Sequence, residues 1–134
     1  MLANNRFLLK NVLPVLVLVA MACLLYSNTF DNAWTYDYFP VIVDNPDVKS
    51  LSNFWQDSYK DRPVRELSFL LDYTLFGMAP AGWHLQQILW HALNAILVFM
   101  LVVRLRGGAM FAWLAALIFL VHPLQVEVVA SLSH

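Results

Sequence analysis

Residues 83–103 read WHLQQILWHALNAILVFMLVV, with no Asp, Glu, Lys or Arg among them. Wound as an α-helix, 21 residues reach about 31 Å, the thickness of a bilayer's hydrocarbon core. The stretch predicts a membrane-spanning helix. Working outward, Arg104-Leu105-Arg106-Gly107-Gly108 makes a tight basic turn, and residues 109–121 form a further apolar run closed by His122-Pro123. That run is short unless the helix continues, kinked, past the proline into residues 124–133. Gln125-Val126-Glu127-Val128 alternates like a strand, but an unpaired strand at membrane depth is not viable, so helix is expected.

Towards the N-terminus, residues 12–26 are apolar and follow Phe7-Leu8-Leu9. Residues 7–26 together suffice for a span, interrupted only by Lys10 and Asn11. A cleaved signal peptide is the rival reading, but no clean small-x-small site ends the run, which favours a retained helix. Between the two spans, residues 28–62 are polar and turn-rich. Asp44-Asn45-Pro46-Asp47 is a turn signal, because Asn and Asp tolerate turns and Pro fixes φ. Residues 63–76 then read as a helix, with Pro63 at its first position and Gly77 at its C-terminal cap. Leu67, Leu70, Leu71, Thr74 and Leu75 form an apolar stripe, and Arg65, Ser68 and Asp72 a narrow polar one. A helix of that length is too short to span and suits the membrane interface.

Composition agrees. The 134 residues are 60% hydrophobic and 13% charged, with a net charge of −1. Soluble domains run about 45–50% apolar and about 25% charged. The balance excludes a free cytosolic domain, a disordered tail and a nucleic-acid binder, since eight Lys/Arg against nine Asp/Glu leave no basic footprint. The lone Cys23 excludes an internal disulfide and a Cys-rich zinc site. The expected fold is an all-α integral membrane protein: a first transmembrane helix in 1–27, an extracytoplasmic loop over 28–82 with the interfacial helix 63–76, and a helix hairpin over 83–134 with its turn at 104–108. Arg6 and Lys10 at one end and Arg104 and Arg106 in the turn mark the cytoplasmic side. The loop and the His122 end of the third helix then share the outer face.

His84, Gln87, His91 and Asn94 are spaced three, four and three, which places them on one helix face. Two readings stand: hydrogen-bond glue between helices, or the wall of a polar cavity. His84 and His91 are two turns apart, so ligand spacing does not support a divalent metal there, though one is possible. Pro123 can start a helix with Glu127 in its first turn, or His122 and Glu127 can contact a phosphate or sugar. Arg62 and Arg65 suit either head-group anchoring or phosphate recognition. Asp37, set among Trp34, Tyr36, Tyr38 and Phe39, is either a solvated loop acid or a general base.

Several stretches in order carry a resemblance: Tyr36-Asp37, Val43-Asp44-Asn45-Pro46-Asp47-Val48, Arg62-Pro63-Val64-Arg65-Glu66-Leu67-Ser68-Phe69, His84-Leu85-Gln86-Gln87 with His91, and Phe119-Leu120-Val121-His122-Pro123 with Glu127. Together they resemble the N-terminal part of polytopic type C (GT-C) glycosyltransferases, nearest to protein O-mannosyltransferase-like membrane proteins with C-terminal tetratricopeptide repeats. The resemblance implies transfer of a sugar, such as mannose, from a polyprenyl-phosphate donor to an extracytoplasmic acceptor such as a protein hydroxyl or glycan. It implies Asp37 as general base, with Tyr38 where relatives often carry a second acid. It implies Arg62 and Arg65 near the donor phosphate, and His84, Gln87, His91, His122 and Glu127 lining or bracing the cavity. Gln87 stands where many relatives have Asn. The location expected is a bacterial inner membrane, with membrane lipid as a further partner.

Such enzymes are several times longer, so the chain is expected to be a piece of one and inactive alone. The alternative is a non-catalytic multi-pass scaffold or assembly subunit. A transporter fragment stands last, since the inverted half common in transporters is missing.

Overall fold

The structure, a computed structural model, describes residues 2–32, 39–56 and 62–130, with residues 2–11 and Val128 described by backbone alone. Its helices are α1 (Leu2–Leu25), α2 (Leu51–Gln56), α3 (Pro63–Phe76), α4 (Pro80–Arg104), α5 (Gly108–Val121) and α6 (Pro123–Ala130). Tight turns occupy Ser27–Asp31 and Asp47–Lys49, and a wider one Phe39–Val43, closed by the Asp44 N–H on the Phe39 carbonyl at 2.7 Å. Among the described residues no strand occurs. The segment read as polar and turn-rich carries, among its described residues, the short helix α2 besides its turns, and the alternating run at 125–128 is helical as expected.

The chain divides into two compact units. One holds α1, α4 from Gln87 onward, α5 and α6. Its interior is built of small side chains: Ala22, Ala92, Ala95, Ala112 and Ala116 are all buried, beside Leu18, Ile88 and Leu120. Leu16, Leu97, Met100, Leu101, Phe111 and Ile118 face outward. A water-soluble bundle would invert that arrangement. In lipid there is no hydrophobic drive to hide leucine, and close helix approach needs small residues. Of the described helices, α4 is long and apolar enough to cross a membrane, while Val12–Leu25 and Gly108–Val121 are apolar but shorter.

The α4–α5 turn closes by a defined cap. The Gly107 N–H reaches the Val102 carbonyl at 2.9 Å, and the Arg106 N–H reaches that of Val103 at 3.1 Å. This is the paired bonding of a Schellman end, which needs a left-handed residue. Arg106 occupies that position, at φ 62°, rather than either following glycine. Gly107 is required for closeness: a Cβ there would lie 2.7 Å from Val102 Cγ1.

Between α5 and α6 the helix does not kink; it stops. His122 is extended, at φ −65° and ψ 129°. Pro123 then opens α6 at the position that needs no N–H. The His122 Nδ1 accepts the Leu124 N–H at 3.3 Å, the bond of an N-terminal cap. Glu127 falls in the second turn of α6, not the first.

The other unit runs from Thr29 to Gln86. Ile42, Val48, Phe69 and Trp83 form its core, with Val41, Tyr73 and Phe76 packed against it. Gly77 ends α3 at φ 58°, its N–H on the Tyr73 carbonyl at 2.8 Å, and its own carbonyl accepts the Trp83 indole N–H at 2.9 Å. A Cβ on Gly82 would lie 2.3 Å from Phe76 Cγ, so α3 and the start of α4 meet closely because Gly82 has none.

Candidate functional site

α3 begins and ends where the sequence places it, and its faces sort in a telling way. Val64, Leu67, Leu71 and Leu75 are exposed, whereas Glu66, Phe69 and Asp72 are buried. Leucines outward and acids inward is the arrangement of a helix whose solvent is apolar on one side. Thr74, in the leucine stripe, returns its hydroxyl to the Leu70 carbonyl at 2.7 Å, and Ser68 does the same to Arg65 at 2.7 Å.

Glu66 organises the first polar cluster. Its Oε1 pairs with the Arg65 guanidinium, whose Nε lies at 3.1 Å and whose Nη2 is closer still. Its Oε2 accepts from Asn45 Nδ2 at 3.4 Å. Asn45 also donates to the Val41 carbonyl at 3.2 Å and accepts the Asp47 N–H at 2.9 Å, closing the turn expected at 44–47. A buried carboxylate needs such partners. Arg65 further stacks over the Phe69 ring at 5.7 Å. Half-buried and paired, Arg65 is a fixed cation with part of its charge already offset. Arg62, next to it before α3, is exposed.

Two more polar residues of this unit are buried: Asp72 is 4% exposed and His84 0%. Asp72 Oδ1 and both ring nitrogens of His84 have no hydrogen-bond partner among the described residues. Burial raises the Asp72 carboxyl from its ordinary 3.8 to about 7.

In the first unit, His91 is committed elsewhere. Its Nε2–H donates to the Leu120 carbonyl at 3.3 Å, and the Tyr26 hydroxyl donates to that same oxygen at 3.0 Å. The Tyr26 ring meets His91 edge-on at 5.4 Å, and Phe119 stacks on it at 5.2 Å. The reason lies at His122-Pro123. In a continuous helix the Leu124 N–H would satisfy the Leu120 carbonyl, but it bonds to His122 instead. The orphaned carbonyl is met by side chains from α4 and from the residue after α1. This is the glue reading of that face.

The four residues of that face differ in burial. His84 is buried in one unit, while in the other His91 is buried, Gln87 half-buried and Asn94 exposed. His122 and Glu127 are exposed on either side of the α6 start. Asp37, like Trp34, Tyr36 and Tyr38, lies outside the described residues. Sequence reasoning missed Glu66, Asp72 and Tyr26. Glu66 stands inside the Arg62–Glu66 motif and Asp72 inside the polar stripe of α3, so both had a signal. Tyr26 had none, since it reads as the last residue of an apolar run. Among the described residues, no three His, Cys, Asp or Glu side chains are grouped to hold a metal.

These features define a helical protein with, among the described residues, one membrane-capable helix and polar residues concentrated in the segment before it. No family model matches the chain, and no solved structure matches it. Curated proteins do. The chain is 35% identical over 128 residues to protein O-mannosyl-transferase Tmtc1 of Drosophila melanogaster, covering 84% of this chain and 15% of that protein. It is 33% identical over 128 residues to the Drosophila protein O-mannosyl-transferase Tmtc2, covering 84% and 14%. It is 30% identical over 136 residues to protein O-mannosyl-transferase TMTC3 of Mus musculus, covering 90% and 15%. The chain is thus homologous to a segment of the protein O-mannosyl-transferases, and spans about 15% of the length of these relatives. They are animal proteins, so they lend no support to the bacterial inner membrane expected above; what stands is association with a membrane.

Proposed function

We propose that this chain is the N-terminal portion of a GT-C membrane glycosyltransferase that moves mannose from a polyprenyl-phosphate donor to a protein hydroxyl outside the cytoplasm. The observation that carries the reading is the similarity to named O-mannosyl-transferases along 84–90% of the chain. In this reading α1, α4 and α5 span the membrane, residues 28–82 lie outside, and the leucine stripe of α3 rests on the lipid. Residues 104–108 form the cytoplasmic turn.

The chemistry follows from the donor. The acceptor oxygen attacks the anomeric carbon, the bond from that carbon to the phosphate oxygen breaks, and its electron pair leaves on the phosphate. Asp37 takes the acceptor's proton, which general-base catalysis makes worth about 10²–10⁴ in rate. Fixed cations stabilise the leaving phosphate. Arg62, exposed just before α3, holds it directly, and Arg65 does so more weakly because Glu66 shares its charge. His84 and Gln87 flank the donor, His91 braces the helices behind it, and His122 and Glu127 close the acceptor side.

The test is transfer of mannose from polyprenyl-phosphate mannose to a protein acceptor, by membranes carrying the full-length protein. Asp37→Asn lowers the rate about 10²–10⁴-fold, and an unchanged rate sinks the assignment. A non-catalytic scaffold is the second reading. The observation favouring it is that His91 and Tyr26 are spent on packing. Loss of no transfer on deleting residues 28–82 would select it.

A further inference from the structure

Arg65 and Glu66 are neighbours in the first turn of α3, yet they are held differently. Glu66 is buried, 5% exposed, whereas the Arg65 side chain is 27% exposed. The Arg65 Nε–H and one Nη2–H converge on the same oxygen, Glu66 Oε1. The guanidinium also lies over the Phe69 ring, one turn on, at 5.7 Å from its centre. Its Nη1 donors and the second Nη2–H have no hydrogen-bond partner among the described residues. A guanidinium gripped along one edge and laid on a ring presents its other edge as a fixed fork of donors.

Glu66 is anchored in its turn. Its Oε2 accepts from Asn45 Nδ2 at 3.4 Å. Asn45 is locked into the turn before it, donating to the Val41 carbonyl at 3.2 Å and accepting the Asp47 N–H at 2.9 Å. That turn is flanked by Ile42 and Val48, which share the core of the unit with Phe69. Both supports of the guanidinium, the carboxylate and the ring, therefore rest on one core. Burying a carboxylate costs desolvation, and a surface acid would offset the charge of Arg65 without that cost. The burial fits a group whose task is to keep still.

We propose that Glu66 is a positioning residue that aims Arg65 at a phosphate group, with Asn45 as its anchor. The ligand, the phosphate of a polyprenyl-linked donor, rests on the transfer reading; the role of Glu66 goes beyond it. A free arginine side chain gives up its rotamers on binding, and this one has already done so. The aiming outweighs the charge that Glu66 offsets, and the sign of the effect is diagnostic. Were Glu66 a mere counter-charge, its removal would tighten the hold of Arg65 on an anion. As an aiming group, its removal loosens that hold.

The test measures binding of a polyprenyl phosphate, and of the matching polyprenol, to the full-length protein in detergent micelles, so turnover is not needed. The parent prefers the phosphate, and Arg65→Ala weakens its binding by about 10–100-fold. Glu66→Gln, which keeps the size but not the charge, weakens it by about 3–10-fold, and Glu66→Ala by at least as much. In the Arg65→Ala background neither Glu66 change alters the affinity further, because Glu66 acts through Arg65. Unchanged or tighter binding in Glu66→Gln, or a loss that persists without Arg65, would overturn the proposal. Loss in Arg65→Ala with none in Glu66→Gln removes the proposal alone, whereas a parent that does not distinguish phosphate from alcohol overturns the donor site of the transfer reading as well. Inorganic phosphate then identifies the source. The same dependence on Glu66 with that ligand assigns the fork to the free anion, and dependence confined to the lipid assigns it to the headgroup.

Discussion

The α1–α4–α5 unit and the Thr29–Gln86 unit bury polar groups for opposite ends. In the first, the alanine-lined interior leaves one backbone oxygen, Leu120, without its helical partner, and both Tyr26 and His91 are turned to it. Among the described residues of that unit, no buried side-chain polar atom lacks a hydrogen-bond partner. In the second, whose core is built on Ile42, Val48, Phe69 and Trp83, three buried polar atoms of Asp72 and His84 have no hydrogen-bond partner among the described residues. A polar residue in an apolar helix is costly in either place. The difference teaches that the cost is met by hydrogen bonds in one unit and is left unmet at Asp72 and His84 in the other.

The comparison can be broken most severely at Trp83. Its indole fills the second unit's core and ties Gly77, so Trp83→Ala should cost about 3–5 kcal/mol in thermal or denaturant unfolding. A small effect would mean the core is not where it is drawn. Next, Ala116→Leu overpacks the small-residue seam of the first unit and should cost about 1–3 kcal/mol. Tolerance without loss would show that close helix approach is not what that unit depends on. Tyr26→Phe removes one of two donors to Leu120 and should cost about 1 kcal/mol, with the loss growing when His91→Leu is added.

The titration of Asp72 gives a smaller, signed effect. Its folded pKa of about 7 exceeds the ordinary 3.8. The folded state therefore holds a proton that the unfolded state releases, and stability falls as pH rises from about 4 through 7. Asp72→Asn should raise Tm at pH 8 and make no difference at pH 4. A gain at pH 4 alone would reverse the sign. Smallest of all, Leu71→Ala on the exposed stripe of α3 should change folding by less than about 0.5 kcal/mol, while weakening association with lipid vesicles.

Much of the architecture was legible because it follows from local rules. Pro63 and Gly77 bracket α3, and the apolar run from 83 onward could only be a long helix. The boundary at His122-Pro123 was legible as a disturbance but not as a full stop. Whether a proline kinks or ends a helix depends on the tertiary partners available to the freed carbonyl, here Tyr26 and His91. Arg106 in the left-handed position was illegible for a similar reason, since two glycines beside it had the stronger preference. For the site, helical spacing put His84, Gln87, His91 and Asn94 on one face but said nothing of which neighbour each meets. Burial divided them. Glu66 and Asp72 were hidden because an acid on a helix reads as solvated until the helix is seen with its leucines outward.

The account separates residues that hold the helices from residues that move the sugar, and one paired measurement tests that separation. Mannose transfer per folded molecule and Tm are both measured for Asp37→Asn and His91→Leu in the full-length protein. The account predicts that Asp37→Asn loses transfer by about 10²–10⁴-fold with Tm unchanged, and that His91→Leu lowers Tm with transfer per folded molecule preserved. Intact transfer in Asp37→Asn, or transfer abolished in His91→Leu at an unchanged Tm, would contradict it.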